Sequence, residues 1–334
     1  LDSKDTFLKR PRQSRWYVVL VVALAAVLLY LAVRNVSWVE MAETFRQGRI
    51  DLFVVVFCLN SLAIFGRGVR WGVLLSAEKK ISPWTMFWAA SIGYMGNTFL
   101  PARAGEVARS VALGRKTGVS MSYVLATALT ERVMDVLALV LIILAVTPSL
   151  QGLPDWLPGA VRVMAVLGVA AIILVVLAPY LEKTFKRILA LFPMPERWRQ
   201  PANHLLEQFL LGTQALVHPG RAGGFIGLTA AIWLVDALGS ITMAAAFGLS
   251  LSLPQALLFL AALGLSSAVP STPGYVGVYQ FVAVTVLPAF GLSESQALLL
   301  ILAAQAINIL AIVVWGLIGL WRIGRWGHLR PDGD

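Results

Sequence analysis

The sequence predicts an all-α polytopic membrane bundle made of two inverted repeats, each containing a broken, re-entrant hairpin. Three observations carry that prediction: the composition, the series of long apolar runs, and two Pro/Gly breaks set 169 residues apart. Of the 334 residues, 58% are hydrophobic and 13% are charged, with a mean hydropathy of +0.79. Soluble domains have about 45–50% apolar and 25% charged residues, so the solvent of this chain is lipid. A soluble enzyme and a disordered scaffold are both excluded. At about 20 residues per crossing the length accommodates about six to nine helices and leaves no room for a separate soluble catalytic domain.

The elements follow in order. Residues 1–15 (LDSKDTFLKRPRQSR) are too long and too charged for the start of a typical cleaved signal, so they are expected to form a cytoplasmic N-terminal segment before a retained first span. Apolar runs long enough to cross a bilayer occupy 16–33, 51–75, 120–147, 160–179, 221–247 and 295–320. Two further stretches are interrupted: 83–113 at LPARAG and 254–290 at VPSTPG. Each half of these is short or polar, and a hairpin that enters and leaves on one side suits them. Residues 148–220 hold the first span of the second repeat, 160–179, and a mixed basic and apolar stretch, 181–218, which reads as an amphipathic segment on the cytoplasmic surface. Residues 321–334 form a cytoplasmic tail. The single cysteine, Cys58, lies in an apolar run and reads as a small core residue.

Charge placement sets the orientation. There are 27 Lys and Arg against 17 Asp and Glu, a net charge of +10. With both interrupted stretches folded as hairpins, 20 of the basic residues fall on one side and four on the other, so both termini are expected in the cytoplasm of a cell-membrane protein. Basic flanks of this kind suit anionic bilayer surfaces, and no nucleic-acid partner is expected. The repeat appears in the same register. Pro101 with Gly105 is matched by Pro270 with Gly274, and shifting 51–75 by 169 lands on the fifth full span. The first repeat covers 16–147, and the second ends with 221–320. Three crossings per half is an odd number, which forces the halves to be inverted, a plan shared by many transporters.

Candidate chemistry concentrates at the first break, Asn97 to Arg109 (NTFLPARAGEVAR). Pro101 suits the start of a new helix, whose unpaired N–H groups attract anions; Arg103 adds a phosphate-type donor, Gly105 allows close approach, and Glu106 lies in the first turn. An Arg103–Glu106 ion pair in a kinked helix is the structural alternative. The second cluster is TERVMD, where Glu131 and Asp135 share a helix face and Arg132 adjoins it. None can face lipid cheaply, and pairing of Glu131 or Asp135 with Arg103 or Arg109 is expected, with a purely structural network that stitches helices together as the alternative. Asp236 is the one charge in the middle of its own span and is either a proton- or cation-binding acid or an arginine's partner. Arg67 and Arg70 read as snorkelling anchors at the interface or as a receiving site for lipid phosphate. In the second break Thr272 reads as an N-cap and Pro273 as the first helical residue, with Gly274, Tyr275 and Tyr279 in a positioning or gating role, or the break is a simple packing kink. No HExxH, P-loop or membrane-embedded histidine is present, so no metal, cofactor or catalytic residue is expected.

These motifs, NTFLPARAGEVAR, LTERVMD and VPSTPGYVGVYQ, resemble the membrane region of lysylphosphatidylglycerol synthases over about residues 16–320. The resemblance implies a lipid flippase half without the aminoacyltransferase domain, with Asn97, Pro101, Arg103, Gly105, Glu106, Arg109, Glu131, Arg132, Asp135, Pro270, Pro273 and Gly274 as matching positions. The expected function is translocation of an anionic phospholipid or polyprenyl-phosphate-linked glycan by alternating access, with possible proton or cation coupling and no catalysis. Arg103, Arg109 and Arg132 would hold the phosphate, and Glu106, Glu131, Asp135 and Asp236 would balance charge. A membrane-embedded glycosyl or phosphoryl transferase and a regulatory subunit of a lipid-modifying enzyme are the rival readings.

Overall fold

The computed structural model of the chain describes residues 15–100, 104–150, 215–267 and 272–326, with isolated positions between 166 and 213. All regular structure among them is helical. Expectations for Pro101, Arg103, Pro270, the span 160–179, most of 181–218, the N-terminal segment before Arg15 and residues 327–334 lie outside the described residues, while 321–326, expected in the C-terminal tail, continue the last helix because nothing before Trp326 breaks it.

Helix α1 runs Arg15–Val33 and bends by 79° into a short helix, α2, Trp38–Arg46, which the sequence reading lacked. Ser37 caps α2 by accepting the Glu40 N–H. The second span is α3, Ile50–Leu75. The first broken stretch is α4, Pro83–Phe99, followed by α5, Ala104–Thr117; Pro83 opens α4 where its missing N–H costs nothing. Helix α6, Met121–Val146, is capped by Ser120 through the Tyr123 N–H. In the second half, α7 is Pro219–Ala246, α8 is Leu253–Ser266, α9 is Val278–Val286, and α10 is Glu294–Trp326. By length and composition, α3, α7, α10 and the stretch Pro273–Phe290 are able to cross a bilayer. Helix α6 has the length, and its three charges alone set it apart.

Helices α3 and α7 show how the halves are related. Arg70 lies by Thr229, Gly66 by Ile232, and Phe53 by Phe247, so these two helices run antiparallel. They are also repeat equivalents, because Arg67 and Asp236, which form a hydrogen bond, are themselves 169 apart. Parallel repeats would make equivalent helices run the same way. The halves are therefore inverted, and their pseudo-twofold axis passes close to this pair. Equivalent packings recur elsewhere: α4 lies on α10 as α8 lies on α6, and α5 lies on α6 as α9 lies on α10.

The first broken stretch is an antiparallel hairpin, with Gly93 against Arg109 and Gly96 against Gly105. Its arms of 17 and 14 residues are about 25 and 21 Å long, short of the ~30 Å hydrocarbon core. The second break departs from expectation. Pro273 opens only a three-residue 3-10 turn, and Thr272 does not cap it; its hydroxyl donates to the Val276 carbonyl at 2.9 Å. The helix begins five residues later, after Gly277, because the chain first passes through positive φ at Gly274 (72°), Tyr275 (58°) and Gly277 (88°). At Gly277 an added methyl would fall on the Ala25 carbonyl oxygen of α1. Gly277→Ala is expected to cost about 1–3 kcal/mol, from overpacking together with left-handed strain, and thermal unfolding in detergent measures it.

One smaller reading is corrected: Cys58 is exposed on the outer face of α3 rather than packed in the core. At the end of the 181–218 stretch, Leu210, Thr213 and Ala215 are buried, and Gly212 abuts Ala126 and Thr130 of α6.

Candidate functional site

Four helices bring their charges to one place. Helix α3 supplies Arg67 and Arg70, one turn apart; α5 supplies Glu106 and Arg109 at the same spacing; α6 supplies Glu131, Arg132 and Asp135; and α7 supplies Asp236. Glu131 lies ten residues into α6, about 15 Å along it, which is half the thickness of a hydrocarbon core.

Six of these side chains close a ring in which cations and anions alternate. Arg70 bonds Glu131 at 3.1 Å, and Glu131 bonds Arg109 at 3.0 Å. Arg109 meets Glu106 at 2.6 Å, and Glu106 meets Arg132 at 2.9 Å. Arg132 lies 3.6 Å from Asp135, which returns to Arg70 at 2.7 Å. Arg67 and Asp236 form a separate pair at 2.5 Å. Four guanidinium groups thus face four carboxylates, and every carboxylate is engaged by at least one arginine.

The ring is sealed on one side and open on the other. Arg70, Arg109 and Glu131 are 2%, 2% and 1% exposed, whereas Arg132 is 35% exposed, with Asp135 and Glu106 partly accessible beside it. On the sealed side the guanidinium of Arg109 lies 4.3 Å from the ring centre of the fully buried Trp71, whose indole N–H donates to Thr127. Arg70 lies over Phe225 at 5.2 Å. Cation–π contacts of this kind strengthen when water is excluded. Asn97 of α4 donates to Glu106 at 3.2 Å, tying the two hairpin arms together through the site. Hydrogen-bonding capacity is left over: the Nε atoms of Arg70, Arg109 and Arg132 and the side-chain oxygen of Asn97 are buried without hydrogen-bond partners. Groups of that sort attract water or a ligand.

The expected pairing of Glu131 with Arg109 is present, and Asp135 instead pairs with Arg70 and Arg132. Glu106 is held by Arg109 and Arg132 and Asn97. Arg67 and Arg70 are not interfacial anchors, because both turn inward onto carboxylates of other helices. Their spacing was the available signal: two arginines three residues apart inside the C-terminal third of an apolar helix share one face. Trp71 and Thr127 were missed outright, since a tryptophan and a threonine in membrane helices carry no marker of a polar task. Tyr275 and Tyr279 lie at the second break with their rings stacked, centroids 4.8 Å apart and planes 6° from parallel. The 3-10 turn that holds Tyr275 packs on α4.

The family model of the lysylphosphatidylglycerol synthase TM region matches residues 18–316. The chain is similar to the glycosyltransferase AglD of Haloferax volcanii, 27% identical over 235 residues. That stretch is 60% of this chain but only 37% of that protein, so the chain spans well under half of this relative. A UPF0104 membrane protein of Methanothermobacter thermautotrophicus is 23% identical over 244 residues, covering 67% of this chain and 69% of the relative. No solved structure matches the chain.

Proposed function

The chain belongs to the lysylphosphatidylglycerol synthase transmembrane-region family, and on that premise we propose that it moves a phosphate-bearing lipid between leaflets of the cell membrane by alternating access. The observation that carries this reading is the alternating ring, closed at Arg70, Arg109 and Glu131 and open at Arg132. Buried ion pairs contribute little net stability, since desolvation offsets their attraction. A six-member ring at mid-membrane depth is therefore poorly explained as reinforcement. It is well explained as a seat whose internal partners give way to an external one.

The exchange follows from charge and geometry. A headgroup phosphate approaching the open rim competes with Glu106 and Asp135 for Arg132, whose planar fork suits phosphate oxygens. The displaced carboxylate can take up a proton, or Arg103, one residue before α5, can supply the additional positive charge. Either route keeps the site neutral while the anion is bound. The tails remain in the bilayer throughout, and no covalent bond is made or broken. Inverted halves exchange their conformations about the pseudo-twofold axis, so a site opened to one leaflet becomes open to the other. Both termini lie in the cytoplasm on this reading. The relative named as a glycosyltransferase supports a lipid-linked sugar among the possible cargoes.

Native mass spectrometry of co-purified lipid tests the assignment. The wild-type chain should retain a phosphate-bearing lipid, and Arg132→Ala should lose at least nine-tenths of it, as expected when a charge-assisted pair worth about 1.5–3 kcal/mol is removed. Equal occupancy in the two proteins would place the phosphate elsewhere. Reconstitution into liposomes, without any partner, should show lipid movement by the wild type alone.

A further inference from the structure

The second break holds a tyrosine in a strained backbone conformation. Tyr275 is the one non-glycine residue with positive φ among the described residues, at 58°, and a bulky residue there costs about 1–3 kcal/mol. A buried polar chain holds the turn in this shape. Gln280, 2% exposed, accepts the Gly277 N–H at 2.7 Å and donates to Gln305 at 2.5 Å, and Gln305 donates to the Gly274 carbonyl at 3.1 Å. The outcome is the parallel stack of Tyr275 on Tyr279, both half-buried. Glycine would adopt the same backbone without strain, so the side chain itself is what the turn preserves.

Two features narrow its purpose. Residues 272–290 contain no charged side chain, so whatever is recognised here is neutral. The turn also packs on α4, the helix that presents Asn97 to Glu106 and closes against α5 at Gly93 and Gly96. The uncharged aromatic turn thus packs directly on α4, the arm of the first hairpin that reaches the charged seat through Asn97. A hydrocarbon tail does not need tyrosine, because any aliphatic residue would meet it. A pyranose does gain from it: the C–H face of the sugar packs on an aromatic ring, and phenolic hydroxyls both donate to and accept from sugar hydroxyls.

We infer that the stacked Tyr275–Tyr279 pair is a sugar-binding platform, and that the cargo is a lipid whose phosphate carries a glycosyl group. This rests on the lipid-carrier reading above and names its substrate class. The full-length protein in detergent is titrated with two probes, a short-chain polyprenyl phosphate and the same lipid phosphate bearing one hexose. Wild type should prefer the glycosylated probe by about tenfold, the amount that one aromatic contact supplies. Tyr275→Gly, in which relief of the backbone offsets the lost ring stack, should bind both probes alike, at the affinity of the bare phosphate. Tyr275→Phe should keep most of the preference. An absent preference in wild type, or one that survives Tyr275→Gly, overturns the platform while leaving the phosphate seat intact. Failure of both probes to bind wild type overturns the lipid-carrier reading, and this inference falls with it.

Discussion

Glu131→Ala is expected to lower stability by about 3–5 kcal/mol, the largest loss of any single change in the ring. The carboxylate is 1% exposed and stands between Arg70 and Arg109, each 2% exposed, accepting from both. Removing it leaves two neighbouring guanidinium groups without water and with only the acids on their far sides, Asp135 and Glu106. Like charges then face each other across a gap that the alanine cannot fill. Glu131→Gln keeps an acceptor for one arginine but not the charge, so it should lie between wild type and alanine. A double variant, Glu131→Gln with Arg109→Gln, removes one charge of each sign and should recover part of the loss. Unfolding midpoints and the monodisperse fraction in detergent provide the measurement. Wild-type stability in Glu131→Ala would mean that water reaches this side of the ring, and the seat would then lack the low-dielectric floor that gives its arginines their strength.

Gly105→Ala should abolish lipid movement at a smaller cost in stability, about 1–3 kcal/mol from overpacking. Helices α4 and α5 are in backbone contact at this point: a methyl on Gly105 would fall on the Gly93 carbonyl oxygen, with the Asn97 N–H and side-chain oxygen also in its path. The reciprocal test gives the same picture, as a methyl on Gly96 would sit 2.7 Å from the Gly105 Cα. Accommodating the extra atom forces the arms apart. Glu106 is the next residue and Arg109 is one turn further, so separation withdraws both from Asn97, Arg132 and Glu131. Gly227→Ala is the control, since its methyl would meet nothing within 4 Å and replaces glycine inside α7. It should be neutral or slightly stabilising, by up to about 1 kcal/mol. Liposome assays on the two variants separate hairpin geometry from a general intolerance of alanine. Transport by Gly105→Ala at the wild-type rate would show that the close approach is dispensable.

Much of the architecture was legible because membrane folding leaves a linear record. Apolar length marked α1, α3, α6, α7 and α10 within a few residues of their ends, and the 169-residue offset between the Pro/Gly breaks located the repeat. The inverted relation followed from an odd number of crossings, and α3 against α7 shows it directly. Glu131 and Asp135 were placed on one helix face by a four-residue spacing, and both meet Arg70 there. What spacing could not convey was the partner. Arg67 and Arg70 have the sequence context of an interfacial anchor, and only the antiparallel approach of α7 and the side of α6 turn them inward. The matched glycines are equally instructive. Gly105 and Gly274 occupy one repeat position, yet the first permits contact inside a helix while the second supplies a positive φ in a turn.

By itself, then, the order of residues determined which segments enter the bilayer, where they break, and which ionisable groups must be sheltered, because hydrocarbon penalises each exposed charge or unpaired amide locally. The tertiary structure alone decided who shelters whom. Rotation of each helix about its axis and the close approach at Gly93, Gly96 and Gly105 set those partnerships. Such contacts join residues as far apart as 67 and 236, where no local periodicity reaches.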